Sequence, residues 1–501
     1  MIYEGEMVSF APAQTIEGEW KRDRVHTDMD SFQTSFAMLL SEEGARLCAL
    51  YAHQTEDKDT LFAILSSHRR HQTWISADVI DKEYPSLTLK NECASLFERL
   101  IAETCNILPR GHPDLRAVKY RDTNGKRSGS LENIPSLDFF NPLRSDGAMQ
   151  APVGPVHAGI IGPGQFRFHI NGEPIEALQI LLGYSHRGIE EQLTGFTPGK
   201  ANHIVERISG DNGVAHALAY SQALELQTVI SMRAKCLRTI LAEMERLQNH
   251  FADLGGMAMD VAFVVPAQRF AALREKILRL NELCTGHRLA WNAIIPGGLK
   301  KDFSPETISH LERAILNIGF EFEELAHVIL ESASFVDRIE TTGRVSKQTA
   351  ERLMMVGPCA RASGIPYDVR ERFPYAIYEQ IGMRIPFHLG GDVLARLIVR
   401  LEEVRESTSI IMQAMEMLGP EEVRTELIMT PDYEGLSMVE SPRGELVHAL
   451  HIQDGKVLRH MVKDPSFQNW PALEIAVLGN IVPDFPLINK SFNLSYSGND
   501  L

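Results

Sequence analysis

Six short segments of the sequence combine glycine with arginine, histidine, aspartate or glutamate, residue types that bind ligands and move protons. They are residues 154–159, 183–191, 205–216, 357–370, 440–445 and 463–469. Glycine beside such side chains indicates a tight turn, or a backbone that approaches another group closely. Each segment taken singly is more typical of a helix cap or turn than of a functional site. Their meaning therefore depends on the pattern that they form together.

The six cysteines limit the metal chemistry that this chain can perform. No two of them are separated by only two residues, since they stand at Cys48, Cys93, Cys105, Cys236, Cys284 and Cys359. This spacing excludes a zinc ribbon and a conventional cysteine-ligated iron–sulfur site within the chain. Six cysteines also form no dense disulfide framework, which favours a reducing compartment.

The composition predicts a globular protein of more than one domain. The chain has 501 residues, of which 44% are hydrophobic and 23% charged, and single cores stop growing at about 250–300 residues. Its 66 acidic and 50 basic residues give a formal charge of −16, which argues against a nucleic-acid partner. The first 20 residues lack the pattern of a signal peptide, and no apolar stretch reaches the roughly 20 residues of a spanning helix. We therefore expect membrane association through partners only.

Two parts of the chain must position the residues that could do chemistry. A linker at 123–153, rich in Gly, Pro, Ser and Asn, joins them. Residues 1–122 read as a small α+β domain. Within it, the apolar spacing predicts a helix over 92–105. Gly44 and its polar neighbours predict a hairpin turn between apolar strands at 35–40 and 46–54.

Residues 154–501 are predicted to form a mainly helical bundle with small β elements. Apolar residues recur at spacings of three and four in the long helices, as a buried face requires. The expected helices cover 237–251, 270–280, a segment that follows the N-cap Ser304 and Pro305, and about 392–418. Asn171-Gly172, as a type I′ turn, and Asp454-Gly455 are predicted to be hairpin turns. The fold class is therefore α+β, with a small α+β domain followed by a helical bundle.

Taken together, the segments resemble the large subunit of membrane-bound, energy-converting nickel–iron hydrogenases and the related quinone-site large subunit of respiratory complex I. The resemblance covers residues 154–501 and is carried by HRGIEE, VER…AHALAY, GPCARASG, GDVLARLIVRLEEVRES and ESPRGE. Residues 84–116 are similar to the small partner domain of complex I, through Glu98-Arg99 and the segment 111–116. Fusion of that domain to the large subunit is typical of the formate hydrogenlyase and hydrogenase-four type.

The sequence departs from the hydrogenase pattern at the metal ligands. In those enzymes an R-x-C-G-x-C and a D-P-C-x-x-C motif supply four thiolates to nickel and iron. The matching segments here are 207–212 and 464–469, and the expected cysteines are Ser209, Asn212, Ser466 and Asn469. Hydroxyl and amide oxygens do not replace four thiolates at such a centre. We therefore predict that the chain binds no nickel–iron centre and no metal cofactor of its own.

The quinone pattern of complex I is incomplete as well. The tyrosine that complex I uses at the quinone head group falls on Gly210, and its two-histidine loop keeps only His157. Loss of a phenol donor weakens binding of a polar head group by about 0.5–1.5 kcal/mol per hydrogen bond. Quinone is retained as a candidate ligand, although no residue pair indicates it.

The resemblance implies that polar side chains converge where the metal would lie: Ser209, Asp211, Asn212, Asp464, Ser466 and Asn469. His157, Arg207 and His216 are expected to flank this cavity. Arg443 is expected to pair with Asp464 or another carboxylate, because a buried cation needs a partner. Oxygen ligands suit a hard cation such as Mg²⁺. A hydrogen-bonded polar plug is the favoured alternative, because buried polar groups usually satisfy one another.

The resemblance also implies partners. His186, Arg187 and Glu190 match the segment that faces the nearest iron–sulfur cluster of the small subunit, and an ordinary interface or helix cap is the alternative. The chain is then expected at the cytoplasmic face of a membrane, with an iron–sulfur small subunit and integral membrane subunits. One hypothesis is an oxidoreductase subunit that passes electrons to quinone or another acceptor, coupled to ion translocation. The other is a non-catalytic coupling or scaffold subunit.

Overall fold

The computed structural model describes residues 22–55, 57–68, 72–119, 147–157 and 161–501. Most of the predicted linker lies outside the described residues, as do the first 21 residues and residues 158–160 of the predicted histidine loop. None of the helices in the described ranges is long and apolar enough to cross a membrane.

The first unit is an α+β arrangement built on a four-stranded sheet. Its elements are β1 (Arg22–Thr27), α1 (Met29–Leu40), β2 (Arg46–Gln54), β3 (Asp59–Ser66), β4 (Gln72–Val79), β5 (Glu83–Pro85), α2 (Ser95–Cys105) and β6 (Leu108–Arg110). The sheet order is β1-β4-β3-β2, with β1 parallel to β4 and the other pairs antiparallel. The predicted helix over 92–105 is confirmed by α2 and the single 3₁₀ turn before it.

The hairpin predicted around Gly44 is wrong in its first arm. Residues 35–40 belong to α1, in which Phe32, Phe36 and Leu39 recur at helical spacing on the buried face. Gly44, at φ +66°, turns the chain from α1 into β2. The apolar run at 35–40 is too short for its periodicity alone to separate a strand from a buried helix.

The second unit is mainly helical. Its elements are β7 (Met149–Val153), β8 (Gln165–Ile170), β9 (Ile175–Leu181), α3 (Ile189–Leu193), α4 (Asn202–Val205), α5 (Gly213–Leu224), α6 (Met232–Asp260), α7 (Val264–Thr285), β10 (Ile294–Ile295), β11 (Gly298–Leu299), α8 (Pro305–Glu331), α9 (Ala333–Ile339), α10 (Lys347–Arg352), α11 (Gly357–Ala362), α12 (Val369–Arg372), α13 (Val393–Glu416), β12 (Tyr433–Ser441), β13 (Gly444–Gln453), β14 (Lys456–Lys463), α14 (Pro465–Ala476), α15 (Phe485–Phe492) and α16 (Tyr496–Asp500). Strand β7 falls within residues that the sequence assigned to the linker.

The four predicted long helices are confirmed as α6, α7, α8 and α13. Helix α6 lies at the centre of the bundle and packs on both α7 and α13. Helix α8 begins as expected, because the Ser304 side chain accepts a hydrogen bond from the backbone of Thr307 and Pro305 occupies the first helical position. Asp392 caps α13 in the same way.

Both hairpins predicted for the second unit are present, with different turns. The strands β13 and β14 are joined by Asp454 and Gly455, both at positive φ, as a type I′ turn requires. The strands β8 and β9 are joined by the four residues 171–174, in which Gly172 has positive φ and Asn171 does not. The type I′ turn predicted at Asn171-Gly172 is therefore wrong, although the hairpin itself is confirmed.

The two units are packed directly on each other. Side chains of β2, β3 and β4 share an apolar cluster with β12, β13 and β14. Phe467 of α14 inserts into the core of the first unit, where its ring centroid lies 5.2 Å from that of Phe97. This packing fixes the junction between β14 and α14, which carries Asp464.

Candidate functional site

Four loops meet in the second unit. They are the turn before α5, the turn between β12 and β13, the junction between β14 and α14, and the segment 493–497, which runs from the end of α15 into the first turn of α16. We call the five side chains that they bring together the central polar cluster: Ser209, Asp211, Arg443, Ser466 and Ser495. The sequence predicted four of these residues, and Ser495 was missed.

Arg443 is the only cation of the central polar cluster. Its side chain is 6% exposed, and its Nη1 and Nη2 donate to Oδ1 and Oδ2 of Asp211 at 3.1 and 2.6 Å. Its Nε donates to the carbonyl of Asn493 at 2.5 Å. Burial raises the pKa of Asp211, but the guanidinium outweighs it and holds that pKa below its ordinary value. Because the Asp211 side chain is 42% exposed, the ion pair lies at the opening of the site.

The serines of the cluster bind one another across distant parts of the chain. The Ser209 hydroxyl lies 2.9 Å from the Ser495 hydroxyl and 3.1 Å from Oδ1 of Asp211. The Ser466 hydroxyl accepts a hydrogen bond from the backbone N–H of Ser495 at 2.9 Å. Segment 493–497 was missed, and no local pattern in its sequence indicated that it reaches the site.

The two asparagines expected in the cavity have different surroundings. Asn469 clamps the loop before α11, because its amide accepts from the backbone N–H of Val356 and donates to the carbonyl of the same residue, both at 3.0 Å. Asn212 stands before the first turn of α5 and is fully buried, and both its amide atoms lack a hydrogen-bond partner in the described part of the chain. A buried amide without partners is uncommon and marks a place where water or a ligand can bind.

His216 and Asp464 lie beside the cluster and are also buried. Nε2 of His216 is 3.4 Å from Oδ2 of Asp464, while its Nδ1 is 3.1 Å from Nε2 of His448. Oδ1 of Asp464 caps α14 by accepting from the backbone N–H of Ser466 at 2.8 Å. The carboxylate that Arg443 binds is Asp211, and Asp464 faces the histidine instead.

His157 and Arg207 are not brought into hydrogen-bonding contact with the cluster. A ring nitrogen of His157 lies 2.7 Å from the carbonyl of Gly164, and the ring packs on Phe166. Arg207 is exposed, and its guanidinium lies 4.5 Å from the ring centroid of Trp291. The backbone at 207–208 still borders the site.

The segment that carries His186, Arg187 and Glu190, expected at a partner interface, contacts the backbone at 207–208 through Arg187. Arg187 donates to the carbonyls of Arg207 and Ile208 at 2.6 and 2.7 Å, and Nδ1 of His186 lies 2.8 Å from the carbonyl of Asp500. Glu190 accepts from the backbone of β14 at 2.9 Å and forms an ion pair of 2.9 Å with Arg459. Arg187 therefore supports the border of the site, whereas His186 binds the end of α16 and Glu190 binds β14.

Helix α6 supplies supporting residues that the sequence did not single out. Glu245 accepts from the backbone N–H groups of Val214 and Ala215, at the start of α5, at 2.7 and 2.9 Å. Asn249 donates to the carbonyl of Asp211 at 2.7 Å. Burial raises the pKa of Glu245 to about 8, in spite of the two N–H groups that lower it. Glu245 can therefore hold a proton near neutral pH.

A second buried polar region lies on the other side of the Arg443 turn. We call it the ionic network, and its members are Glu243, Arg246, Arg361, Asp368, Arg370, Glu403 and Glu440. Each of them is at most 2% exposed. Arg361 lies 2.8 Å from Glu440 and 3.1 Å from Asp368, and it also pairs with Glu403. Arg246 donates to the carbonyls of Glu440 and Ser441, which connects the network to the turn that carries Arg443.

The carboxylates of this network do not share one protonation behaviour. Burial raises the pKa of Glu243, but Arg246 and Arg370 outweigh it and bring that pKa down to about 2. Burial and the negative charge of Asp368 raise the pKa of Glu440 to about 7. The arrangement can therefore exchange a proton at Glu440 while Glu243 stays ionised.

Thiolate ligands are not offered to the site by the described residues. Cys359 has its sulfur 3.8 Å from the carbonyl of Phe492, and burial raises its pKa, so that it is a neutral thiol. No group of three or more His, Cys, Asp and Glu residues in the described ranges is arranged to hold a metal ion. What the cluster does offer is a desolvated guanidinium and three hydroxyl groups, and the neighbouring Asn212 adds an amide without a hydrogen-bond partner among the described residues.

The sequence matches the family described as respiratory-chain NADH dehydrogenase, 49 Kd subunit, over residues 253–433. It is 32% identical over 403 residues to NADH-quinone oxidoreductase subunit 4 of Thermus thermophilus, covering 73% of this chain and 98% of that protein. It is 28% identical to formate hydrogenlyase subunit 5 of Escherichia coli K12, covering 92% of this chain and 86% of the relative. For hydrogenase-4 component G of the same organism the identity is 29%, with 88% and 80% covered.

The fold is also similar to that of a solved structure. It is a chain of a membrane-bound sulfane sulfur reductase, described as an archaeal respiratory membrane complex. The TM-score is 0.67 at 23% identity, and the match covers 72% of this chain and 100% of that one. At this identity the likeness concerns the fold alone.

Proposed function

The chain belongs to the family of the 49-kDa subunit of respiratory NADH dehydrogenase, and on that premise we propose that it is the large subunit of a membrane-bound oxidoreductase of the complex I or hydrogenase-4 type. An adjacent iron–sulfur subunit supplies electrons, and quinone or another small acceptor takes them at the central polar cluster. Integral membrane partners couple this step to ion translocation. The subunit works peripherally, at the cytoplasmic face of the membrane.

The observation that carries the proposal is the Arg443–Asp211 pair at the opening of the site. A desolvated guanidinium is a strong donor to an acceptor that gains negative charge on reduction, because electrostatic attraction is stronger away from water. The Asp211 carboxylate is partly exposed to solvent. A ligand oxygen can therefore take its place beside the guanidinium, because water can then hydrate the carboxylate. Ser209 is a second donor beside it.

The residues present do not fit a nickel–iron centre, and we propose that this subunit has none. Ser209 and Ser466 are hydrogen-bonded to Ser495, and Asn469 is bound to the backbone of Val356. Hydroxyl and amide oxygens of this kind suit hard cations rather than a low-valent metal that needs thiolates. No step of the proposed reaction is therefore assigned to nickel.

The test is made on the intact membrane complex, purified through a tag on this chain. Nickel and iron are measured by plasma emission, and reduction of decylubiquinone is followed with NADH, formate and hydrogen as donors. We expect iron from the small subunit, nickel far below one atom per chain, and reduction of decylubiquinone by one donor. Stoichiometric nickel would refute the proposed absence of the centre. Failure of all donors would refute the redox role.

A substitution separates the proposed site from the rest of the complex. Arg443→Met removes the guanidinium, and we expect a loss of decylubiquinone reduction of about 10- to 100-fold, equivalent to one or two lost charged hydrogen bonds. Arg405→Met is the matched control, because Arg405 forms its ion pairs with Glu323 and Glu402 on the partly exposed face of α13. Equal activity of the two variants would contradict the assignment of Arg443.

The second candidate is a coupling or scaffold subunit without a redox reaction. It is favoured by Ser466 and Asn469, whose polar atoms serve internal hydrogen bonds. Under this alternative the complex assembles but reduces no acceptor, and Arg443→Met changes only its stability. Loss of the cluster-binding cysteines in the accompanying small subunit would also support it.

A further inference from the structure

A cavity of about 220 Å³ lies between the two units. We call it the inter-unit cavity, and its walls include Leu96 and Arg99 of α2, Arg116, Leu182, and Gln468 and Glu474 of α14. A space of about 150 Å³ can hold benzene, and sites for drug-sized ligands measure about 300–1,000 Å³. The inter-unit cavity therefore suits one small organic molecule somewhat larger than benzene.

Arg99 is a cation of the cavity wall that is bound only by peptide carbonyls. Its Nε donates to the carbonyl of Arg116 at 2.7 Å, and its Nη2 donates to the carbonyl of Ala117 at 3.2 Å. It forms no ion pair within the described part of the chain. Burial lowers the pKa of Arg99, and the negative charge of Asp114 does not offset that effect. Since a guanidinium stays protonated in proteins, Arg99 favours the binding of an anion.

Two other acidic groups of the wall are already paired with arginines. Nε and Nη2 of Arg116 donate to the two carboxylate oxygens of Asp114 at 2.8 and 2.6 Å. Glu92, which is exposed, forms an ion pair of 3.1 Å with the exposed Arg352. These pairs leave Arg99 as the lining cation that a ligand can neutralise.

Glu474 is the remaining acidic residue of the wall, and it is a weak counter-ion for Arg99. Its carboxylate accepts a hydrogen bond from the backbone N–H of Ile180 at 2.8 Å. Burial raises the pKa of Glu474 in spite of this bond and of the charges of Arg116 and Arg99. Glu474 therefore ionises less readily than an exposed glutamate, and it does not replace an ion-pair partner of Arg99.

Gln468 adds a hydrogen-bond acceptor to the wall on the side of the second unit. The residue is 5% exposed, and its Nε2 donates to the carbonyl of Leu353 at 2.7 Å. Its Oε1 is buried and has no hydrogen-bond partner among the described residues. A buried acceptor without a partner costs free energy, which a hydroxyl group of a bound molecule would recover. The cavity thus offers one charged donor and one neutral acceptor.

We propose that the inter-unit cavity binds a small organic carboxylate that has an apolar body and a hydroxyl group. The carboxylate pairs with Arg99, and the hydroxyl donates to Oε1 of Gln468. The apolar body packs on Leu96 and Leu182. A monovalent anion fits better than phosphate, because Asp114 and Glu474 line the same cavity and repel further negative charge.

The test measures binding to the full chain by titration calorimetry and does not depend on quinone reduction. The probes are the three isomers of hydroxybenzoate, which combine a carboxylate, a hydroxyl group and an apolar ring. Matched compounds remove one feature each: the hydroxybenzamides lack the charge, benzoate lacks the hydroxyl, and inorganic phosphate lacks the apolar body. We expect at least one hydroxybenzoate to bind and its amide to bind about 10- to 100-fold more weakly. Phosphate should not displace it.

Substitutions then assign the two contacts. Arg99→Met should weaken binding of that hydroxybenzoate about 10- to 100-fold and leave binding of its amide unchanged, because only the charged hydrogen bond is lost. Arg110→Met is the matched control, since Arg110 is exposed on β6, pairs with Glu83 at 3.3 Å and does not line the cavity. Arg99→Lys keeps the charge and should keep the preference for the acid over the amide. Gln468→Leu should bring the affinities for hydroxybenzoate and benzoate together.

Several results would overturn the proposal. They are the absence of binding of all three isomers at millimolar concentration, equal affinities of acid and amide, or equal effects of Arg99→Met and Arg110→Met. Displacement of hydroxybenzoate by phosphate would show that the cavity selects charge alone, and would also overturn it. The comparison of acid with amide in the wild type needs no variant, so the proposal stays testable if Arg99→Met does not fold.

Discussion

The central polar cluster and the ionic network are two buried polar regions that adjoin the same helix, α6, and they are organised differently. In the ionic network each charged side chain is at most 2% exposed and pairs with at least one opposite charge. In the central polar cluster Asp211 is 42% exposed, and the neighbouring Asn212 and His216 keep buried atoms that form no hydrogen bond within the described part of the chain. The polar groups of the network thus bind one another, whereas the cluster leaves some available for a ligand or a proton.

Two carboxylates on α6, one in each region, differ in the same way in their pKa values. Glu243 and Glu245 are both fully buried and stand two residues apart, yet their pKa values are about 2 and about 8. Glu243 faces the guanidinium groups of Arg246 and Arg370, whereas Glu245 faces two peptide N–H groups. Burial alone does not set the charge state, because at Glu243 the charges of Arg246 and Arg370 outweigh desolvation, whereas at Glu245 the two N–H groups do not.

The strongest way to break the contrast is to remove a cation from the ionic network. Arg361→Met leaves Asp368, Glu403 and Glu440 around an apolar side chain, and we expect a loss of about 3–5 kcal/mol in the free energy of unfolding. Urea denaturation of the full chain measures it. Arg405→Met, on the partly exposed face of α13, should cost less than about 1 kcal/mol. A similar cost for the two variants would mean that the network adds nothing beyond a surface pair.

A cation removed from the central polar cluster should cost less. Arg443→Met breaks the pair with Asp211, but the half-exposed carboxylate can be hydrated instead. We expect a loss of about 1.5–3 kcal/mol in the free energy of unfolding, the range for hydrogen bonds to charged groups. The same urea titration applies. A loss as large as that of Arg361→Met would show that the cluster is as closed to water as the network.

The two carboxylates of α6 should give opposite dependences on pH. Glu245 keeps its proton in the folded state up to about pH 8, while the unfolded chain loses it near 4.5, so the unfolding free energy falls as pH rises between these values. The slope is at most about 1.4 kcal/mol per pH unit for one proton. The stabilisation from Glu243 is complete above pH 4.5 and is lost as pH falls towards 2.

Glu245→Gln tests this directly, because glutamine cannot ionise. We expect the stability of the variant relative to the wild type to increase as the pH rises from 5 to 8. Urea midpoints measured at pH values about one unit apart would show it. Glu243→Gln should show no such gain in that window, since Glu243 is ionised in both states there. Parallel curves for the wild type and Glu245→Gln would contradict the raised pKa.

The smallest expected effect concerns one hydroxyl of the cluster. Ser209→Ala removes its contacts with Ser495 and Asp211, and we expect a loss of about 0.5–1.5 kcal/mol in the free energy of unfolding. Ser334→Ala, at an exposed position of α9, is the control and should remain within about 0.5 kcal/mol of the wild type. No difference between the two would mean that the Ser209 hydroxyl is bound equally well by water.

Much of the architecture was predictable because it depends on local signals. The spacing of apolar residues and the caps Ser304 and Asp392 indicated the long helices, and Asp454-Gly455 fixed the last hairpin. The first arm of the Gly44 hairpin was wrong, since a six-residue apolar run fits a strand and a buried helix equally well. Whether residues 35–40 form a helix or a strand depends on how they pack in the core of the first unit.

The site was predictable only in part. Ser209, Asp211, Arg443 and Ser466 are brought together, whereas the side chains of His157, Arg207 and Asn469 bind other partners. Segment 493–497 and the α6 residue Glu245 were missed. Their roles depend on contacts between residues 30 to about 290 positions apart, which no local pattern encodes.

The sequence by itself determined which chemical groups this protein possesses: no paired cysteines, and serine and asparagine within motifs whose surroundings resemble a metalloenzyme. Residue types are fixed by the chain and need no fold to be read. Only the tertiary structure decided which of these groups are partners. It joined Arg443 to Asp211 across 232 positions and aligned His216, His448 and His460. Charge state and proton transfer depend on distance and burial, and these exist only once the chain is folded.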